Sequence, residues 1–299
     1  MTTRTDTSAR TATPTPAELL AAAESAADRA VEYLHSIDRA AIDREYKTSH
    51  QDIVTEHDRR TEEIILDELH RLVPSARIVG EEGGEQAAQD GGGASSGGDP
   101  EDGAVFYVDP IDGTSNFAAG MPAFCVSIGA AIGQTLVAGV IDAPVLGQRF
   151  TAGPDGPALN GTPIAGRPTR AAQDAYVLAG LPTGRDLRER GEEALEDAAR
   201  LVGGVSAVRH LGSAALELAY VAAGWADAAM LSKINAWDVA VGFLLVQQAG
   251  GSIRHWPGTG PADAPGHLQP AYVACSGPER IELLDEIQDR VQAFREASA

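Results

Sequence analysis

Residues 108–117 read VDPIDGTSNF, and this segment restricts the fold more than any other part of the chain. The apolar run AVFYV ends in two aspartates three positions apart, with Pro110 between them and Gly113, Thr114, Ser115 and Asn116 behind. Proline removes a backbone donor, and a Gly-Thr-Ser sequence favours a turn into a helix start. The segment therefore reads as a strand end, a bend and a helix N-terminus. A bend at Pro110-Ile111 lets Asp109 and Asp112 turn toward one point, while the free N–H groups of Gly113, Thr114 and Ser115 can bind an anion. Carboxylates beside an anion cradle need cations between them. Hard oxygen ligands of this kind suit Mg²⁺, which completes its shell with water and substrate phosphate. On these residues alone, a surface Asx turn with a helix cap also accounts for the pattern.

Around this segment the hydrophobic pattern changes several times. Residues 1–15 are rich in Thr, Pro and Ala without periodicity, which predicts a disordered tail. From Pro16 onward, Leu19, Ala23, Ala26, Ala30, Val31 and Leu34 fall near helical spacing. A second amphipathic helix is predicted over 56–72, with Ile64, Ile65, Leu69 and Leu72 as its stripe and Pro74 as its stop. The stretch 85–103, EQAAQDGGGASSGGDPEDG, is too glycine-rich and acidic to pack and predicts a mobile surface insertion. AVFYVDP, FCVSIGAAI, TLVAGVIDAP and APVLGQRFTA then read as strands, in outline an antiparallel meander. From about residue 174 the order is AYVLAG as a strand, a helix over 186–202, VSAVRHLG as a strand and a helix over 213–224. ADAAML, a helix over 237–249, GSIRHW and a C-terminal helix from Pro278 follow. Such alternation predicts layered α/β architecture. An N-terminal α+β portion is expected over 16–170 and a C-terminal α/β portion over 171–299.

The 299 residues, 43% of them hydrophobic, suffice for one large domain or two modest ones. No run reaches the roughly eighteen consecutive apolar residues of a membrane span, and the opening MTTRTDTSARTATPTP lacks an apolar signal core. A cytoplasmic protein with no membrane partner is expected. Forty-three acidic against 23 basic residues leave a net charge of −20, which argues against nucleic acid as a general partner. Lysine is rare: only Lys47 and Lys233 occur. Cys125 and Cys275 lie far apart with no clustered His, and read as reduced core thiols.

Three further acidic segments sit at the ends of predicted elements, where side chains can converge. DIVTEHD (52–58) ends in Asp58 at a helix start, IVGEEGG (78–84) places Glu81 and Glu82 after a short strand, and INAWDVAVGFLLVQQAGG (234–251) opens a helix with Asp238. Taken singly, an acid at a helix start also reads as a cap. Trp237 reads as core beside Val239 and Phe243, and His57 and His210 as exposed or satisfied histidines without motif support.

Together with DPIDGTSNF at 109–117, these segments in this order resemble the inositol monophosphatase family, within the larger Mg²⁺-dependent, lithium-sensitive sugar-phosphatase superfamily. The resemblance runs from about residue 16 to the C-terminus, apart from 85–103. It implies a layered αβαβα sandwich of the α/β (α+β) class, a homodimer, and two or three Mg²⁺ ions. The implied ligands are Glu81, Asp109, the Ile111 carbonyl, Asp112 and Asp238. Asp58 and Thr114 match the pair that activates water, and Glu81 joins them by holding the ion that acidifies it. Gly113, Thr114 and Ser115 match the phosphate-holding turn. Lys47, just before the DxVTxxD motif, is either a further contact at this site or a solvated side chain. Gly212, Ser213 and Ala214, which open GSAALELAYVAAGWADA (212–228), match the segment lining the leaving group.

The chain departs from the family pattern at one place. Members acting on inositol phosphates carry an acidic residue seven positions before the metal-binding Asp; here that position is Leu231, followed by Ser232 and Lys233. An apolar side chain accepts no hydroxyl hydrogen bond. Lys233 either attracts a second anionic group or is a solvated loop residue.

Monoester hydrolysis demands a barrier reduction on the order of 20 kcal/mol. No covalent nucleophile is evident, so positioning and metal electrostatics have to supply it. The resemblance implies a phosphatase whose partner is a small phosphorylated substrate, inositol monophosphate or a related polyol or sugar phosphate. 3′-Phosphoadenosine 5′-phosphate, histidinol phosphate and fructose bisphosphate are the alternative substrates. A regulatory binding role in transcription complexes, which some bacterial relatives serve, is the alternative of a different class.

Overall fold

A computed structural model describes residues 13–39, 42, 45–46, 53–89 and 103–298. Helix α1 (Pro16–His35) starts at Thr15, whose hydroxyl accepts from the Glu18 amide at 3.3 Å while Glu18 Oε2 accepts from Thr15 N at 2.7 Å. This capping box satisfies two otherwise orphaned donors. The buried face of α1 is mostly alanine (Ala22, Ala23, Ala26, Ala27 and Ala30), which lets it lie close against its neighbours. Strands β1 (Glu45–Tyr46) and β2 (Ile53–Val54) form a short antiparallel ribbon before helix α2 (Glu56–Leu72), which packs beside α1.

Both helices cover an eight-stranded sheet. Its strands are β3 (Arg77–Gly80), β4 (Gly84–Gln86), β5 (Ala104–Asp112), β6 (Cys125–Ile132), β7 (Thr135–Ala143), β8 (Gln148–Ala152), β9 (Ala158–Leu159) and β10 (Thr162–Pro163). The order is β10-β9-β8-β7-β6-β5-β3-β4, with short helix α3 (Thr114–Ala118) directly after β5. The expected meander is present from β5 to β10, but the sheet is mixed. β4 turns back along one edge of β3, and β5 pairs with the other edge in parallel.

The second sheet has the order β12-β11-β13-β15-β14, formed by β11 (Tyr176–Ala179), β12 (Ala207–Arg209), β13 (Ala228–Leu231), β14 (Ser252–Trp256) and β15 (Ala271–Cys275). β12, β11 and β13 run parallel, β15 pairs antiparallel with β13, and β14 on the edge pairs antiparallel with β15. Helices α4 (Gly184–Arg190) and α5 (Glu192–Gly204) follow β11; α6 (Ala214–Ala222), α7 (Ala236–Gln248) and α8 (Glu282–Ser298) complete the set. α6 and α7 pack between the two sheets, and α5 and α8 cover the far side of the second, which gives the αβαβα layering.

Three local expectations are corrected. The helix predicted over 186–202 is two helices, because Gly191 adopts φ +54° and breaks it. AYVAC was not anticipated as a strand, although β15 is buried at all five positions. A strand covered on both faces loses the alternation that reveals a half-buried one. The last helix begins at Glu282 rather than Pro278. Of the predicted 1–15 tail, residues 1–12 lie outside the described residues, as do 90–102 of the predicted insertion, whose first two residues, Glu85 and Gln86, belong to β4.

Two features hold the layers in place. Gly129 and Gly139 face each other across β6 and β7, under α7. A Cβ at Gly129 would lie 2.8 Å from Ala240 Cβ, and one at Gly139 2.8 Å from Val241 Cγ2, so only glycine permits this approach. On the second sheet, fully buried Asp227 accepts from Tyr176 N (2.7 Å) and from Arg170 Nη2 (2.6 Å), and lies 3.2 Å from Arg167 Nη2. Both cysteines are buried and unpaired, the state expected of core thiols. Among the described residues no helix is long and apolar enough to cross a membrane.

Candidate active site

Because β3 and β5 run parallel, their carboxyl ends lie side by side. Gly80 pairs with Val108, the Glu81 amide donates to the Val108 carbonyl at 3.1 Å, and Glu81 and Asp109 come next on adjacent strands. The pairing of β5 with β6 slips between Asp109 and Asp112, around Pro110. α7, seated on Gly129 and Gly139, brings Asp238 to the same place in its first turn. One carboxylate oxygen from each of Asp109, Asp112 and Asp238 lies within 4.8 Å of the other two.

This crowding changes proton affinity. Burial, then the charges of Glu81, Asp112 and Asp238, raise the Asp109 carboxyl well above its ordinary value. Burial and then Asp238 push Asp112 up to about 8, opposed by hydrogen bonds from Ser213 and Ala215. Acids packed this closely cannot all ionise without a neutralising cation. An all-oxygen set of carboxylates with a strand-end carbonyl nearby suits a hard divalent ion, so the residues present fit the metal centre. Asp112 has a second duty: Oδ2 accepts from Ser213 Oγ and Ala215 N, both at 2.7 Å, and Oδ1 from Ala214 N at 3.3 Å. It thereby occupies the positive end of α6.

Next to this cluster, Asp58 is fully buried in the first turn of α2. Its Oδ2 accepts from Thr55 N (2.8 Å) and Thr55 Oγ1 (2.6 Å), which leaves Oδ1 facing Thr114 Oγ1 at 2.8 Å. The Thr114 hydroxyl also lies 3.0 Å from the Ile111 carbonyl. Having one proton, it can donate to only one of them at a time. Gly113 adopts φ +95°, and a Cβ there would meet the Ala123 and Gly212 carbonyls at 3.0 and 3.2 Å. Glycine is thus required both for the turn and for the close passage of the 212 segment.

The structure brings Asp109, Asp112 and Asp238 together, with Glu81 near enough for its charge to act on Asp109 and Asp112, and joins Asp58 with Thr114 and Ile111. Ser115, Gly212, Ser213 and Ala214 line a cleft of about 470 Å³ that also reaches Asp112 and Asp238. The Ser213 hydroxyl is engaged with Asp112 and with the Leu216 amide at 3.3 Å. Lys47 lies outside the described residues. Leu231 lines the cleft where an acid would stand in inositol-type members, and Trp237 is partly buried against Val105, Tyr107 and Ala131. His57 is satisfied by the Tyr33 hydroxyl at 2.8 Å.

Three positioning residues escaped the sequence reading. Glu62, one turn after Asp58, accepts from Glu82 N (2.9 Å) and Gly83 N (2.6 Å) and so clamps the loop that carries Glu81. Asn116 Nδ2 donates to the Ala123 and Leu211 carbonyls at 2.6 and 2.7 Å, tying α3 to the 212 segment. Glu217 lines the cleft, accepts from Leu211 N at 2.7 Å and sits 3.3 Å from His210 Nδ1, and this partner raises the imidazole's proton affinity. Only the i, i+4 spacing of Glu62 from Asp58 offered a signal.

The sequence model of the inositol monophosphatase family matches residues 15–292. The chain belongs to the inositol monophosphatase family. Its similarity to the Nus factor SuhB of Pseudomonas aeruginosa is 34% identity over 241 residues, covering 80% of this chain and 86% of that one. To the inositol-1-monophosphatase of Rhizobium meliloti it is 33% over 241 residues, covering 80% and 84%. Among solved structures, the IMPase of Thermotoga maritima superposes with a TM-score of 0.72 at 29% identity, covering 89% of this chain and 95% of that one. The inositol monophosphatase fold and the acidic centre thus make this protein a metal-dependent phosphoric monoester hydrolase.

Proposed function

We propose that the protein is a Mg²⁺-dependent, lithium-sensitive phosphatase that hydrolyses a small phosphate monoester by attack of an activated water. The observation carrying this reading is the convergence of Asp109, Asp112 and Asp238 beside the hydrogen-bonded Asp58–Thr114 pair. In this reading Glu81, Asp109, the Ile111 carbonyl, Asp112 and Asp238 hold two or three Mg²⁺ ions. Bound there, Mg²⁺ supplies neutralising charge to the phosphoryl oxygens and acidifies water near neutral pH.

The chain's own groups do the rest. Thr114 donates its proton to Asp58, which turns an oxygen lone pair toward the attacking water and leaves the Ile111 carbonyl free to coordinate. Asp58, held by Thr55, takes up the water's proton through Thr114. The amides of Gly113, Thr114 and Ser115 support the phosphoryl group, and Gly212, Ser213 and Ala214 face the leaving group. The portion over 16–170 then contributes most ligands, and that over 171–299 contributes Asp238 and the substrate segment. A cytoplasmic homodimer completes the reading.

Purified protein assayed with Mg²⁺ on inositol, sugar, nucleotide and amino-alcohol phosphates should hydrolyse at least one, be inhibited by Li⁺, and lose turnover in Asp238→Asn. Wild-type rates in that variant at saturating Mg²⁺ would refute the ligand assignment. The 34% identity to a Nus factor raises a second reading, a binding role in transcription complexes. The −20 net charge opposes direct RNA contact, so this role would rest on protein contacts. A protein inert on every ester but retained on immobilised RNA polymerase would favour it.

A further inference from the structure

Beside the active-site cleft lies a second cavity, about 230 Å³, between α4, the segment after β13 and α8. Its charged lining is Arg185, Arg190, Lys233 and Arg295 against Asp186 and Glu189. In a chain of net charge −20, four cations around one small cavity reverse the prevailing sign.

Acidic partners offset part of this charge, Glu189 at Arg185 and Asp197 at Arg190, and leave Lys233 and Arg295 without a carboxylate partner among the described residues. Asp186 Oδ2 accepts from Thr183 N (2.8 Å) and Thr183 Oγ1 (2.6 Å), and Glu189 accepts from Arg185 Nε at 2.6 Å. Arg190 is only 7% exposed; one end of its guanidinium pairs with Asp197, while the buried Nε has no hydrogen-bond partner among the described residues. Arg295 donates to the Ser232 carbonyl through Nη2, and its Nη1 is likewise buried and unmatched. Lys233 is exposed and makes no ion pair or hydrogen bond among the described residues. Buried N–H groups without an acceptor carry a desolvation cost and keep positive charge concentrated behind the cavity wall.

The two cavities share a wall. Leu231 lines both, and Lys233 stands five positions before Asp238. Gly180, in the wall of the basic cavity, backs onto the ring of His210, in the wall of the cleft.

We propose that the basic cavity is a subsite for a second phosphate of the substrate, whose scissile phosphate lies at the carboxylate cluster and whose carbon skeleton crosses Leu231. The inference rests on the phosphatase reading and narrows its substrates to small bisphosphates. The apolar Leu231, unsuited to ring hydroxyls, then serves as the floor between two anion sites.

The test is steady-state kinetics with Mg²⁺ on matched pairs, adenosine 3′,5′-bisphosphate against adenosine 3′-monophosphate and fructose 1,6-bisphosphate against fructose 1-phosphate. Wild type, Lys233→Ala and Lys233→Arg are compared. A charge-assisted hydrogen bond corresponds to about tenfold or more in affinity, so wild type should favour the bisphosphate of at least one pair by that factor in kcat/KM. Lys233→Ala should lose most of this preference through KM, with monophosphate kinetics and kcat unchanged, and Lys233→Arg should keep it. Equal kcat/KM within both pairs, or a preference that survives in Lys233→Ala, overturns the subsite while leaving the phosphatase reading intact. Inactivity on all four esters overturns the subsite, and the phosphatase reading falls with it only where inositol and amino-alcohol phosphates are left intact as well.

Discussion

Replacing Asp112 by asparagine should abolish turnover and yet stabilise the cation-free fold. Oxygens of Asp109, Asp112 and Asp238 lie within 4.8 Å of one another. Two unit charges at that separation repel by about 3.5 kcal/mol at an effective dielectric of about 20. The variant removes two of the three pairs, about 7 kcal/mol at the limit of full ionisation, and bound protons reduce this below that limit. The pH dependence follows from the Asp112 carboxyl, which burial and Asp238 raise from 3.8 to about 8. A carboxyl with a higher value folded than unfolded favours the fold below its unfolded value, and that advantage disappears as pH rises through the folded one. In chelator, wild type should therefore lose stability between about pH 4 and pH 8, by up to about 6 kcal/mol. The Asp112→Asn side chain keeps an acceptor oxygen for Ser213 and Ala215 but cannot titrate, so the variant's melting temperature should be flatter with pH and higher than wild type at about pH 8. Because 1 kcal/mol shifts Tm by about 2–4 °C in large domains, the difference is readily measured by calorimetry. Adding Mg²⁺ should raise wild type much more than the variant at that alkaline end. Parallel pH slopes for the two proteins in chelator would refute the argument, as would a variant less stable than wild type there.

Thr114→Val preserves volume but removes the hydroxyl between Asp58 and the Ile111 carbonyl; kcat should fall by about 10²–10⁴ with little change in apparent Mg²⁺ affinity, and Thr114→Ser should restore it. A kcat near wild type in the valine variant would exclude the proton path. Glu62→Gln weakens two charge-assisted bonds to the Glu81 loop, so Mg²⁺ activation should need roughly tenfold more cation with kcat recovered at saturation; superimposable Mg²⁺ titrations would show that the clamp is dispensable. Asp227→Ala leaves Arg167 and Arg170 without their buried counter-ion and should cost about 3–5 kcal/mol in urea unfolding, with kcat per folded molecule unchanged. A loss below about 1 kcal/mol would show the cluster to be a surface-type ion pair.

Part of the acidic centre was legible because it is local, and the family resemblance supplied the rest. Asp109 and Asp112 share one ten-residue segment whose Pro110 and Gly113 dictate the backbone, and Asp58 and Asp238 each stand at a recognisable helix start. What escaped depends on distant partners. Glu62 acts on amides twenty residues away, and nothing near it in the chain announces the loop it holds. The basic cavity gathers Arg185 and Arg190 from one helix and Arg295 from another, more than a hundred positions later; only the scarcity of lysine drew notice to Lys233. A layered α/β architecture followed from the alternation of elements and its αβαβα form from the family resemblance, whereas β15 and the break at Gly191 followed from neither. Full burial erases the strand's period, and a glycine inside a helical pattern does not by itself announce a break.

Asp112 connects two parts of the molecule that could have been independent. The same carboxylate that faces Asp238 receives the Ala215 amide, so any change in its charge reaches the opening turn of α6 and, through Ser213, the wall against which an alcohol must leave. In the proposed mechanism, cation occupancy and the shape of the leaving-group wall are thereby geared to one another, so a substitution that disturbs one is expected to register in the other.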